Sequence, residues 1–317
     1  MGFRLKDVES VPEGIRRITL DQIDRSLDQL QPKTRNKRRA IHELRVCFKR
    51  IRAVLRLIYG EIGPDIYRQE NRAYRDAGRQ LSAARDTAVV ADTLEELVDQ
   101  CNKYLDEPGI KVLRKRLRRL RADQLGDTQI LTRLGENLRL ARQRVEEWPL
   151  NNDRFIALGF GLKRVYRRGR RYYGITRAEG TVENFHEWRK QVKYLWYQMS
   201  VLNPVWPKPL GTLANELGKL ADYLSEDHDL AVLRERAINQ SQMLIDTSEI
   251  DKLVVLINHR RLQLQNRAAS LGTRVFAERP KNFVSRIEAY WLAWRPSEIP
   301  EPKIEQLTLV AYASSQG

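Results

Sequence analysis

Apolar residues recur at three- and four-residue spacing along most of this chain, and alternating, strand-like stretches are nearly absent. That period predicts amphipathic helices, and the prevalence of Leu, Arg, Ala, Glu and Gln favours the same state. Breaks are expected at Gly60 to Pro64, Pro108-Gly109, Pro149 to Asp153, Gly174 to Gly180, Asn203 to Pro209 and Arg279-Pro280. Between them the pattern leaves helices of roughly 15 to 30 residues. From Pro296 onward the chain reads as an irregular tail.

The pattern also repeats. Residues 41–58 read IHELRVCFKRIRAVLRLI and residues 185–202 read FHEWRKQVKYLWYQMSVL, an offset of 144. His42/His186, Glu43/Glu187, Arg45/Arg189 and Lys49/Lys193 coincide. LSAARDTAVV from Leu81 then matches LSEDHDLAVL from Leu224 at offset 143, in the same order along the chain. Two matches in sequence argue for two related halves, with a period too long for a solenoid. On a helical wheel Ile41, Leu44, Phe48, Ile51, Leu55 and Ile58 share one face. Phe185, Trp188, Val192, Leu195, Met199 and Leu202 hold the same six positions in the second half, so this face is core in both.

Beside that core face runs a polar stripe at 3-4-3-4 spacing: His42, Arg45, Lys49, Arg52 and Arg56. Val46, Ala53 and Leu57 flank it on the far side, so the cations lie between two apolar strips. A simple solvated face is the bland alternative, and its repetition in the second half weighs against it. A half-buried row of like charges is costly without counter-charge, and an anion or a wet cavity is the simplest relief. From residue 42 to 56 the row spans about 21 Å at the usual helical rise, which suits an extended anion better than one phosphate. Two other segments add basic clusters: Lys111, Arg114, Arg118 and Arg121 in IKVLRKRLRRLR, and Lys163, Arg167 and Arg170 in LKRVYRRGRRYY.

Charge sharpens the picture. There are 57 Lys and Arg against 41 Asp and Glu, a formal net charge of +16. A surplus of that size points to a polyanionic partner: nucleic acid, an anionic membrane or a polyphosphate. No run of about 18 apolar residues predicts a membrane span. Two cysteines, Cys47 and Cys101, give no disulfide framework, and no signal-like apolar run opens the chain, so a reducing cytoplasm is expected.

Catalytic signals are lacking: there is no GxxxxGKS loop, and no carboxylate cluster suited to Mg²⁺. The histidines of the stripe sit among Arg and Lys, which opposes a metal cation. Asp227-His228-Asp229 is more ligand-like, but its repeat partner is Ala84-Arg85-Asp86; the shared Asp86 and Asp229 are expected to orient an Arg or cap a turn. The expectation is a binding protein, not an enzyme, with neither cofactor nor metal. Single-stranded nucleic acid remains the competing ligand, although most aromatics fall at core positions, with Tyr166, Tyr194 and Trp196 as exceptions.

The paired HxxRxxxK segments, the VYRRGR segment at Val165 to Arg170, and LGTRVFAERPKNFVSRIEAYW near the end together resemble the CHAD family, the conserved histidine α-helical domain. The resemblance runs from about residue 10 to residue 295 and implies an all-α fold. Two pseudo-symmetric four-helix bundles would form one domain, 1–295, around a basic central cavity, with halves of about 10–148 and 152–295 and a tail at 296–317. It implies binding of inorganic polyphosphate, with association to polyphosphate granules a further expectation. The implied contacts are His42, Arg45, Lys49, Arg52, Arg56, Arg167, Arg170, His186, Arg189 and Lys193; the stripes add Arg114, Arg118 and Lys163. The second half departs from the first, with Trp196 and Ser200 in place of Arg52 and Arg56, so a lopsided cavity is expected.

Overall fold

The computed structural model describes residues 2–31, 36–81, 83–100, 111, 113–115, 117, 128–244 and 247–295. Its elements are helices: α1 (Val11–Gln29), α2 (Lys37–Leu57), α3 (Tyr59–Gln80), α4 (Ala83–Gln100), α5 (Thr128–Glu146), α6 (Ile156–Ala178) and α7 (Val182–Leu202). A short 3₁₀ turn, Asn203–Val205, then leads to α8 (Pro207–Leu244), α9 (Thr247–Val275) and α10 (Pro280–Trp294). The fold is therefore all-α. Among the described residues no helix is long and apolar enough to cross a membrane.

Local chemistry sets the helix ends. Ser10 caps α1: its Oγ accepts from the Glu13 amide at 3.3 Å, while its own amide donates to the Glu13 carboxylate at 2.8 Å. Thr181 caps α7 by accepting from the Asn184 amide, and Asn36 caps α2 by accepting from Arg39. At the α2–α3 junction Gly63 takes φ +73°, a left-handed conformation favouring glycine, and Pro64 restarts the helix beyond the kink. The break expected at Gly174 falls later: Gly174 stays helical, and α6 runs on to Ala178 before the chain extends at Glu179. One helix exceeds the expected length. At 38 residues, α8 fuses in the second half what α3 and α4 divide in the first. Pro108-Gly109 and the tail from Pro296 lie outside the described residues.

The packing closes two rings of four helices. In the first, α1 packs on α2, α2 on α3, α3 on α5, and α5 on α1. In the second, α6 packs on α7, α7 on α8, α8 on α9, and α9 on α6. The rings meet where α2 lies against α7 and α6, and where α3 lies against α6. The two repeated helices are therefore in direct contact at the centre of the molecule. All twelve apolar positions of the repeated face are buried, in one core that runs through both rings. A second core joins α4 to α8 and α9, with Leu94, Leu113, Leu117, Leu233 and Ile257 at its heart.

Two features lock the halves together. Asp153, in the link between them, accepts from the Val11 amide at 2.5 Å and from Arg295 at 3.2 Å. Arg295 also stacks on Trp291 and Trp294. Deeper in, Gly161 of α6 sits against the end of α2 so closely that a Cβ there would lie 2.0 Å from the Leu57 carbonyl oxygen and 2.2 Å from that of Arg56. Gly161→Ala must push the helices apart, and we expect it to lower stability by about 3 kcal/mol in thermal or urea unfolding. Gly174→Ala, on the same helix with open space around it, should instead stabilise by about 0.5–1 kcal/mol.

Candidate functional site

The core face of α2 fixes where its stripe points. With Leu44, Phe48, Ile51 and Leu55 buried, Arg45, Lys49 and Arg52 emerge at the edge of the core, each half-buried. The same argument on α7, with Trp188, Val192 and Leu195 buried, brings out Arg189 and Lys193 half-buried. Because α2 and α7 touch, the two stripes converge on one cleft of about 320 Å³. Arg45, Lys49 and Arg52 line it from α2, and His186, Arg189, Lys190 and Lys193 from α7. α3 closes it with Arg75 and Arg79, while Phe48, Tyr74, Tyr194 and Tyr197 form its apolar walls. Among the described residues no carboxylate lines the cleft.

Several of the arginines donate to neutral acceptors. Arg45 donates to the Gly78 carbonyl at 2.9 Å. Arg52 and Arg56 both donate to Asn71 Oδ1, at 3.1 and 3.0 Å, and Arg56 also to the Arg52 carbonyl. Arg189 donates to Ser225 Oγ at 3.1 Å. The guanidinium of Arg56 lies 3.8 Å over the ring of Tyr194, a cation–π contact at the cleft's end. Burial lowers the pKa of Arg56, yet a guanidinium remains protonated. Some of the lining cations do pair with carboxylates at the rim: Arg75 with Asp76 at 2.8 Å and Lys190 with Glu187 at 2.5 Å. A carbonyl or amide acceptor holds a guanidinium in place without cancelling its charge.

Other expected site residues lie elsewhere. His42 sits on α2 one turn beyond Arg45, exposed, and does not line the cleft. Arg56 stands just past its far end. Lys163, Arg167 and Arg170 are exposed on α6 and outside the cleft. Arg170 donates to the Phe276 carbonyl at 3.1 Å. They share a side, but α6 packs through Leu162, Val165, Tyr166 and Gly169, which turns that side to solvent. Arg114 lies far from the cleft by contact, bonded to Glu95 beside the second core. Arg118 and the side chains of Arg85 and Asp86 lie outside the described residues. Sequence reasoning missed Arg75, Arg79 and Lys190. The arginines at 68, 72, 75 and 79 do recur at helical spacing in α3, and that was the available signal.

The cleft is also lopsided, as the substitutions in the second half suggest. Trp196 replaces Arg52 in the repeat and packs over Gly218, whose Cβ position lies 3.4 Å from the indole nitrogen. Gly218 and Asp222 stand where α3 carries Arg75 and Arg79 at offset 143. The basic wall of the first ring thus has no counterpart in the second.

At the α7 end His186 meets His228 of α8, with ring centroids 4.8 Å apart. The Nδ1 atoms of both rings are buried without a hydrogen-bond partner. Burial, reinforced by Arg189, His186 and Lys193, pushes His228 down to about 3; burial with Lys190 and Arg189 lowers His186. The neighbouring carboxylate Asp227 is engaged elsewhere, 3.0 Å from Arg261 and 2.9 Å from Gln265. Asp227 thus orients Arg261. A group of His, Cys, Asp or Glu able to hold a metal is not found among the described residues.

The family model described as CHAD domain matches residues 19–237, more than half of the chain. No curated protein matches the sequence significantly.

The His228 environment predicts acid sensitivity. Its folded pKa lies below the ordinary value near 6.5, so the unfolded chain takes up the proton first as pH falls. The stability it contributes is whole above pH 6.5 and drains away towards pH 3, by up to about 2 kcal/mol at pH 5. Unfolding measured at pH 7 and pH 5 should show a smaller loss in His228→Gln than in the parent. Equal losses would mean that the imidazole takes up its proton alike in both states.

Proposed function

We propose that this chain, which belongs to the CHAD domain family, binds inorganic polyphosphate in the α2–α3–α7 cleft without transforming it. One observation carries the reading. Eight Arg and Lys side chains from three helices line a single cleft that among the described residues includes no carboxylate. Polyphosphate carries one charge per repeat and no bases. A row of forked guanidinium donors and ammonium groups is sufficient to recognise it. The row's length favours a chain over a single phosphate, since Arg45 to Arg56 alone covers about 16 Å of helix. Hydrolysis of a phosphoanhydride by a bound metal would call for carboxylates to hold the ion, and the cleft supplies cations and aromatic rings instead. The chain's setting in the cytoplasm, on polyphosphate granules, belongs to the same proposal.

The test is charge reversal at four positions. Arg45→Glu, Lys49→Glu, Arg189→Glu and Lys193→Glu in one protein should abolish binding of polyphosphate chains of tens of units, with helical circular dichroism retained. The parent should bind such chains far better than orthophosphate or ATP, and more weakly as salt rises. Unchanged affinity in the fourfold variant would refute the cleft as the site.

A further inference from the structure

The proposed site leaves unexplained a helix whose charged residues are all of one sign. In α6 there are seven Lys and Arg and no acidic residue. With α2, which carries eight basic residues and one acidic, it forms a pair with fourteen more basic than acidic residues. The two helices are clamped together where Gly161 meets the end of α2. At that junction aromatic rings alternate with arginines. Arg56, stacked on Tyr194 at the end of the cleft, lies 5.8 Å from the ring of Tyr67. Tyr67 meets Tyr59 edge-on at 4.9 Å, and Arg164 of α6 lies 3.9 Å over Tyr59. Tyr59 in turn stacks on Phe160, with centroids 6.0 Å apart and planes 15° from parallel. Phe160 is 54% exposed although hydrophobic.

We infer that this ladder, from Arg56 through Tyr67, Tyr59 and Arg164 to Phe160, is a second anion surface that binds single-stranded nucleic acid, with bases stacking on Phe160 and on Arg164. A polyphosphate has nothing to place against a phenyl ring. A polynucleotide has both parts: phosphates for the exposed Lys163, Arg167 and Arg168 alongside, and a π-face on every base. Arg164 is already ordered by its contact with Tyr59, and a guanidinium can stack on a base as an aromatic ring does. Duplex is disfavoured, because its bases are already stacked. The ladder lies outside the cleft lining, so this surface stands or falls separately from the polyphosphate reading.

The experiment compares strands that differ only in their bases. Fluorescence anisotropy would follow oligo(dA), oligo(rA) and an abasic phosphodeoxyribose strand, all of about 20 units, long enough to cover such a site. The parent should bind both base-bearing strands about tenfold or more tighter than the abasic one, the increment expected of stacking. Phe160→Ala, alone and with Tyr59→Ala, should remove that increment, while Phe160→Trp should keep it. Polyphosphate affinity should not change in any of these. The fourfold cleft variant should keep the difference between base-bearing and abasic strands. The inference is overturned if abasic and base-bearing strands bind alike. It is equally overturned if Phe160→Ala weakens polyphosphate as much as oligo(dA), since the surface would then be only an extension of the phosphate track. Preference for one of oligo(dA) and oligo(rA) would identify the natural strand as DNA or RNA.

Discussion

The contact between α2 and α7 is the constraint from which the rest follows. Each helix has one wide apolar face, and the cores of both rings claim it. Where the helices meet, Gln198 donates to the Ala53 carbonyl in a fully buried bond, and Ala53 is small enough to let them close. Nothing in that packing needs charge. Yet at 3.6 residues per turn the positions beside a buried face have one place to go, the seam where the partner helix presents its own stripe. Two rows of cations are thereby brought face to face by the burial of Leu, Ile, Phe and Trp. The apolar burial is worth many times the repulsion between half-solvated ammonium and guanidinium groups, which water at the cleft mouth screens.

How the molecule tolerates that repulsion is informative. Elsewhere its arginines meet carboxylates: Arg144 meets the buried Glu70 at 2.6 Å, Arg261 meets Asp227, and Arg286 meets Glu278. Along the cleft Arg45, Arg52 and Arg189 donate to a carbonyl, an amide oxygen and a hydroxyl, although Arg75 and Lys190 at its rim meet Asp76 and Glu187. The first pattern neutralises charge to hold the fold together. The second aims charge while preserving it. The internal duplication supplied two equivalent rows, and later divergence treated them unequally. Trp196 on Gly218 converts one flank of the second row to packing, while Arg75 and Arg79 strengthen the flank of the first.

What could be read from sequence was whatever depends on position along one helix. All twelve core positions of the repeated face were legible from the 3.6-residue period, and so were Arg45, Lys49, Arg52, Arg189 and Lys193 beside them. What could not be read depends on how helices meet. Arg75 and Arg79 lie in YRQENRAYRDAGRQ, where acids and bases alternate as on any solvated helix. Only the placement of α3 against α2 turns them into a wall. The converse holds for Lys163, Arg167 and Arg170: periodicity put them on one side correctly, but which side faces water was decided by Leu162, Val165 and Tyr166 packing inward. Arg114 was equally plausible in sequence, and Glu95, nineteen residues earlier, bonds it.

Where the surplus charge resides separates two kinds of basic protein. Were +16 spread evenly, it would serve solubility and weak attraction to any polyanion. Here α2 and α6 each carry a surplus of seven, and they are adjacent. One end of that pair opens on a cleft of donors and enclosed rings, chemistry suited to the oxygens of an anion. The other end shows an exposed phenyl ring and stacked guanidinium planes, where oxygens gain little and flat bases gain more. The same +16 therefore offers two recognition chemistries joined at Arg56. That residue donates to Asn71 on the cleft side and faces Tyr67 on the other, so the difference between the two ends is set by the rings around the cations and not by the cations themselves.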